Sequence, residues 1–97
     1  MEFDWNNPPF ELGSLNQREI EESFEDAFAV RLMPDSPRFA VQARFFNLGR
    51  SASGVGIFSV YRTNGKVVRV ICARPFVQEE EFFYQRKMNK SLLVMDK

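Results

Sequence analysis

The sequence predicts an α+β domain in which an antiparallel sheet of about four strands carries two principal helices. Three observations carry that expectation. Residues 55–61 and 67–73 are rich in β-branched and aromatic side chains and flank Asn64-Gly65, the dipeptide that most strongly marks a two-residue type I′ hairpin. Asn16 stands three residues before Glu19, ahead of an apolar repeat at helical spacing, which is the pattern of a capped helix start. After Pro75, Glu79, Glu80 and Glu81 precede Arg86 and Lys87, the order in which a helix macrodipole favours its charges.

Taken in order, residues 1–5 read as a short first strand, ended at Pro8 and Pro9 because proline donates no hydrogen bond to a ladder. Leu15 and Ile20 are spaced as a hydrophobic staple around the Asn16 cap, and Ile20, Phe24 and Ala27 recur on one helical face. Glu21, Glu22, Glu25 and Asp26 point elsewhere and read as a solvated face, the alternative being a docking surface for a basic partner. Residues 27–33 form the next strand, residues 34–37 a proline-rich turn, and residues 41–48 a further strand. The small, polar residues 49–54 read as a hairpin loop. Beyond the central hairpin a helix spans residues 77–88, with Val77, Tyr84 and Met88 on one face. Residues 91–95 are a short apolar tail that either adds an edge strand or touches a partner.

The 97 residues suffice for one domain with a single core. A formal net charge of zero conceals segregation: residues 1–37 hold nine acids and two bases, whereas residues 38–74 hold seven bases and no acid. A basic sheet beside an acidic segment is either a local anion-binding surface or a charge pattern satisfied internally by salt bridges, and the zero net charge argues against indiscriminate nucleic-acid binding. The chain has no histidine, which removes the usual general base at neutral pH and the commonest metal ligand. No phosphate loop or dinucleotide fingerprint is present, so neither a metal nor a cofactor is expected. The single cysteine, Cys72, reads as a small buried hydrophobe. No apolar run approaches about 18 residues and no charged-then-apolar leader opens the chain, so the expectation is a cytoplasmic protein without a membrane span.

A two-residue turn at Asn64-Gly65 sets Thr63 against Lys66, Arg62 against Val67, Val60 against Arg69 and Ile57 against Cys72. One face then carries Tyr61, Ser59, Ile57, Val68, Val70 and Cys72. The other presents Arg62 and Arg69 as diagonal neighbours among Phe58, Val60 and Ile71, which is either the wet face of a sheet or a phosphate-binding pair.

Several stretches together resemble a known family. Phe3-Asp4-Trp5, Phe24-Glu25-Asp26, Arg44, Leu48-Gly49-Arg50-Ser51, Gly54, Tyr61, Arg69-Val70-Ile71-Cys72-Ala73-Arg74, Glu80 and Tyr84 follow one another in an order and spacing similar to the BrnT-type ribonuclease toxins of bacterial type II toxin–antitoxin systems. The resemblance covers most of the chain as far as Lys87, and residues 44–74 are its most specific part. It implies a RelE-like fold, endoribonuclease activity that inhibits translation, and a ribbon-helix-helix antitoxin as partner. The chain departs from the pattern in having Asn6, Pro8 and Pro9 near its start, no Lys-His-Gly before the first helix, and an acidic opening to the last helix.

What the resemblance implies for the site is metal-independent attack of an RNA 2′-hydroxyl on the adjoining phosphate. Such a reaction needs positioning, charge stabilisation and a proton acceptor. Arg44, Arg69 and Arg74 would hold the phosphate through their guanidinium forks, Glu80 would act as base or orienting group, and Tyr84 would donate a hydrogen bond or stack on a base. Arg69 and Arg74 fall on opposite faces of a regular strand, so they share a face only if the strand ends or bulges between them. The alternative reading is a non-catalytic interaction module on the same fold.

Overall fold

The computed structural model describes the backbone of residues 1–32 and 44–95 and side chains as far as residue 90. Seven elements follow one another: β1 (Glu2–Phe3), α1 (Gln17–Glu25), β2 (Val30–Leu32), β3 (Phe45–Arg50), β4 (Gly56–Thr63), β5 (Val67–Pro75) and α2 (Gln78–Met95). They form one five-stranded sheet in the order β1-β5-β4-β3-β2 with two helices. The α+β class and its antiparallel centre agree with the sequence, but the sheet is mixed, because β1 lies parallel to β5. The connection through α1 carries the chain from one sheet edge to the other, so the first strand joins the last one in parallel.

Local chemistry builds α1 as its sequence indicates. The Asn16 side chain accepts from the Glu19 N–H at 2.8 Å, and the Glu19 carboxylate accepts from the Asn16 N–H at 3.2 Å. This capping box satisfies two otherwise orphaned backbone donors. Leu15 and Ile20 are both buried, as a staple requires. The helix stops at Glu25 with Asp26 as its C-cap, so Ala27 lies in the following turn and is exposed instead of extending the apolar face. Two acids expected on a solvated face have internal roles: Glu21 accepts from the Trp5 indole N–H at 2.7 Å, and Glu22 accepts from the Ala52 N–H at 3.0 Å.

The core lies between α1 and one sheet face, where Leu15, Ile20, Phe24, Ile57, Tyr61, Val68, Val70 and Ala73 are buried together. Aromatic rings meet edge-on through it, with Phe24 set between Phe3 (5.2 Å) and Tyr61 (5.0 Å). Close approach of α1 to β3 depends on Gly49, because a Cβ there would sit 1.9 Å from the Ser23 carbonyl oxygen. The buried Asn47 side chain donates to that same carbonyl at 3.2 Å.

The central hairpin departs from the expected register. Thr63 pairs with Val68, Arg62 with Arg69 and Tyr61 with Val70, so the connection spans four residues rather than two. Side-chain bonds explain the wider turn: Asn64 Oδ1 accepts from the Lys66 and Val67 N–H groups, each at 2.9 Å, and the Thr63 hydroxyl donates to the Val67 carbonyl. A shift of two residues preserves which side chains face the core, and Ile57, Ser59, Tyr61, Val68 and Val70 are indeed buried. At Ile71 the ladder slips, pairing Val60 with Cys72 directly after Tyr61 with Val70. This bulge turns Cys72 outward, where it is exposed rather than buried, and turns Ala73 into the core.

Other boundaries also move. Residues 49 and 50 belong to β3, which leaves residues 51–55 as the connection to β4, and β2, Val30–Leu32, starts three residues later than expected. The proline-rich turn at 34–37 and the start of the strand predicted over 41–48 lie outside the described residues. The apolar tail at 91–95 adds no edge strand; it is the end of α2, which runs on without a break from Gln78. Val77, predicted on the packed face of that helix, is exposed. Among the described residues no helix is long and apolar enough to cross a membrane.

The α1-covered face should therefore control stability. Ile57→Ala removes a fully buried side chain and is expected to cost about 2–5 kcal/mol. Arg62→Ala, on the opposite, exposed side, is expected to stay within about 0.5 kcal/mol. Gly49→Ala is expected to cost at least the ~1–3 kcal/mol typical of overpacking, since backbone lies on both sides of the clash. Denaturant midpoints of the three variants measure the contrast, and equal losses would contradict this division of faces.

Candidate nucleic-acid interface

Strand alternation divides the sheet into the α1-covered face and an outer face, and the pairing arranges the outer one in rows. Val30, Leu48, Phe58 and Arg74 form one row across β2 to β5, and Leu32, Phe46, Val60 and Cys72 form the next. Beyond them Arg62 stands directly opposite Arg69, and Arg44, one residue ahead of β3, extends that row by alternation. Phe46 and Phe58 stack at 5.9 Å, and the Arg74 guanidinium lies 4.6 Å over the Phe58 ring. The result is a half-exposed aromatic band bordered by arginine on two sides.

The bulge at Ile71 is what makes these arginines share a face. In a regular strand Arg69 and Arg74 would point to opposite sides; the extra residue reverses the alternation between them. They do not meet, however. At about 3.3 Å per residue they stand roughly 13–16 Å apart along β5, too far to grip one phosphate. Arg44, Arg62 and Arg69 are instead neighbours across strands spaced about 4.8 Å. The predicted trio is thus split, with Arg44 and Arg69 in one cluster and Arg74 in another.

Each predicted site residue has its own surroundings. Arg69 donates to the Asn6 carbonyl at 2.9 Å and the Asn7 carbonyl at 3.0 Å, and pairs with Asp4 at 3.3 Å. Two arginines directly opposite repel, and this reach to the N-terminal segment draws the Arg69 charge away from Arg62. Arg74 forms a two-pronged pair with Glu80, its two terminal nitrogens at 2.8 and 2.7 Å from the carboxylate oxygens. Glu80 also accepts from the Val77 N–H at 2.9 Å at the start of α2. Partial burial pushes the Glu80 carboxyl upward, but the bonds from Arg74 and Val77 outweigh it and hold the group below the usual glutamate range. Arg44 is exposed.

Tyr84 is not available for chemistry on that face. Only 2% of it is exposed, and its hydroxyl donates to Asp26 at 2.5 Å. Burial first, and the Asp26 carboxylate second, raise its ionisation far above the ordinary tyrosine range. The ring instead serves packing, with Phe76 at 5.6 Å and the Arg50 guanidinium 4.9 Å over it.

A second polar group, unforeseen in roles though its residues stand in the quoted stretches, surrounds this tyrosine. Asp26 Oδ2 accepts from the Arg50 N–H at 2.8 Å as well as from Tyr84, while its other oxygen accepts from the Phe28 N–H at 2.9 Å. Arg50 in turn pairs with Glu81 on α2. One signal for this role was present: Asp26 closes α1, where the macrodipole disfavours an acid, so its value must come from partners elsewhere. Among the described residues no group of three or more His, Cys, Asp or Glu side chains stands close enough to hold a metal ion.

A scan of protein-family models finds no match to this chain, and a search of curated proteins finds no relative of it.

Two outcomes follow from the geometry. Tyr84→Phe keeps the ring but removes the donor to Asp26, and is expected to cost about 1.5–3 kcal/mol, the range for a hydrogen bond to a charged group. Glu80 titrates lower in the folded chain than in the unfolded one, so its contribution is present above about pH 4.3, the unfolded value, and fades as pH falls through the folded value. Since Arg74 is solvent-accessible, that contribution is expected within the ~0.2–1 kcal/mol of exposed pairs. Melting temperatures of the parent and Glu80→Gln should therefore differ near neutral pH and converge in acid; a gap that widens in acid would reverse the assignment.

Proposed function

We propose that this chain is a BrnT-like toxin domain of RelE-like fold, acting in the cytoplasm as a metal-independent endoribonuclease and neutralised by a ribbon-helix-helix antitoxin. The observation that carries the reading is the bulge at Ile71, which adds Arg74 to the sheet face that already carries Arg44, Arg62 and Arg69 around Phe46 and Phe58. Arginine forks beside half-exposed aromatic rings suit single-stranded RNA, whose phosphates take the charge and whose bases stack. In this reading Arg44 and Arg62 contact successive phosphates and Arg69 contributes charge, because its fork is engaged by Asp4, Asn6 and Asn7. Arg74 faces the developing charge on the scissile phosphate, and Glu80 beside it receives the 2′-hydroxyl proton as the 2′-oxygen bonds to phosphorus; the bond from phosphorus to the 5′-oxygen breaks, leaving a 2′,3′-cyclic phosphate, and the 5′-oxygen takes a proton from water. Tyr84 has a structural role only.

A second reading, a non-catalytic module that binds the same kind of partner, is favoured by the closure of the Arg74–Glu80 pair on itself. One experiment separates the two. Purified protein in EDTA is expected to cleave single-stranded or ribosome-bound RNA; Arg62→Glu should lower the rate by at least about tenfold, the effect of one lost charge-assisted contact, while melting as the parent does. Arg69→Glu should lose activity too, with an added loss of stability from the freed N-terminal segment. A parent protein that neither cleaves RNA nor arrests growth, yet binds a ribbon-helix-helix protein, would establish the second reading instead.

A further inference from the structure

The α1-covered face contains a cleft that the arginine rows do not use. Its volume is about 290 Å³, and it lies between Phe24 of α1, Arg31 of β2, and Tyr61, Thr63, Lys66 and Val68 of the hairpin. That is close to the lower end, about 300 Å³, of pockets that enclose small molecules. Phe24, Tyr61 and Val68 are buried and supply apolar walls, whereas Arg31 and Lys66 are exposed at the rim. No acid lines the cleft among the described residues, and none of them lies within ion-pair distance of either cation.

The donors are oriented. Arg31 gives one terminal N–H to the Phe24 carbonyl at 2.8 Å, which fixes the plane of the guanidinium while leaving other donors of the fork. Tyr61 lines the same cleft, and its hydroxyl has no hydrogen-bond partner among the described residues. Thr63, by contrast, is engaged within the turn, accepting from Gly65 and donating to Val67. A guanidinium fork, an ammonium and a phenol above apolar walls match a planar two-oxygen anion on a small apolar body.

We propose that this cleft binds a small organic carboxylate, with Arg31 and Lys66 holding the carboxylate, Tyr61 donating to it, and an aromatic or aliphatic body resting on Phe24 and Val68. The site is separate from the outer sheet face, so it stands whether or not the chain cleaves RNA.

Titration of isotope-labelled protein with phenylacetate tests it. Saturable amide shifts are expected at Thr63, Gly65, Lys66 and Val68, with phenylacetamide, the neutral isostere, at least about tenfold weaker, as loss of a charge-assisted contact predicts. Lys66→Gln, an exposed change in the turn, should weaken binding severalfold without altering the melting temperature; Arg31→Gln should weaken it further but also removes the bond to Phe24. Absence of saturable shifts, equal affinity for the amide, shifts centred on Arg62 and Arg74, or indifference to Lys66→Gln would each overturn the proposal. Inorganic phosphate binding as tightly as phenylacetate would also overturn it, since the apolar walls would then contribute nothing.

Discussion

The Asp26 carboxylate joins parts of the chain that nothing else brings together so economically. One oxygen closes the turn after α1 through Phe28, and the other receives both the Arg50 backbone N–H at the end of β3 and the Tyr84 hydroxyl from α2. Helix, sheet end and C-terminal helix therefore share a single anion. Three hydrogen bonds satisfy a group whose charge would otherwise be costly to enclose. Arg50 completes the arrangement, stacking on Tyr84 and pairing with Glu81. Gly56 serves the same junction, since Phe76 lies where a Cβ would project, 2.2 Å from its ring carbon, and donates its N–H to the Gly56 carbonyl. The start of α2 is thus placed by polar contacts and one aromatic seat.

The two sides of the sheet are specialised by the same alternation. One is closed by α1 and filled with interlocking aromatic rings. The other gathers the basic charge, and the bulge at Ile71 completes the gathering by reversing the last part of β5. Concentrated positive charge carries a cost, visible in Arg62 directly facing Arg69. The N-terminal residues offset it by engaging Arg69, and Glu80 does the same for Arg74. The acidic stretches of the chain are therefore partners of its basic sheet as well as a balance in composition.

This pairing frames the functional proposal. If the proposal holds, a basic face satisfied by its own carboxylates would exchange internal partners for phosphates, and the exchange would be cheapest at Arg44 and Arg62, which are exposed and lie side by side. The Arg74–Glu80 pair brings an acid and a base to the edge of the aromatic band, where proton transfer and charge stabilisation would both be required. The carboxylate cleft proposed on the opposite face would use different cations, Arg31 and Lys66, and so would give one chain two anion-binding surfaces of distinct steric character.

Much of this was legible in the residues themselves. The Asn16–Glu19 capping box, the Leu15–Ile20 staple, the acidic first turn of α2 and the core parity of Ile57, Ser59, Tyr61, Val68 and Val70 all depend on neighbours within a few positions, or on the period of two that any strand obeys, whereas Arg86 and Lys87, expected at the C-terminal end of α2, stand in its middle. Where the reading failed, the deciding partner lay elsewhere. Asn64 and Thr63 side chains widened the turn, a slip at Ile71 exposed Cys72 and aligned the arginines, α2 absorbed the apolar tail, and Asp26 took Tyr84 out of the candidate site. The sequence by itself determined the fold class, the first helix and the concentration of positive charge, because capping, periodicity and composition are local properties. Tertiary structure alone decided the register, the bulge and which arginines stand together, because these depend on cross-strand alignments and side-chain partners up to 65 residues apart that compete within small differences of free energy.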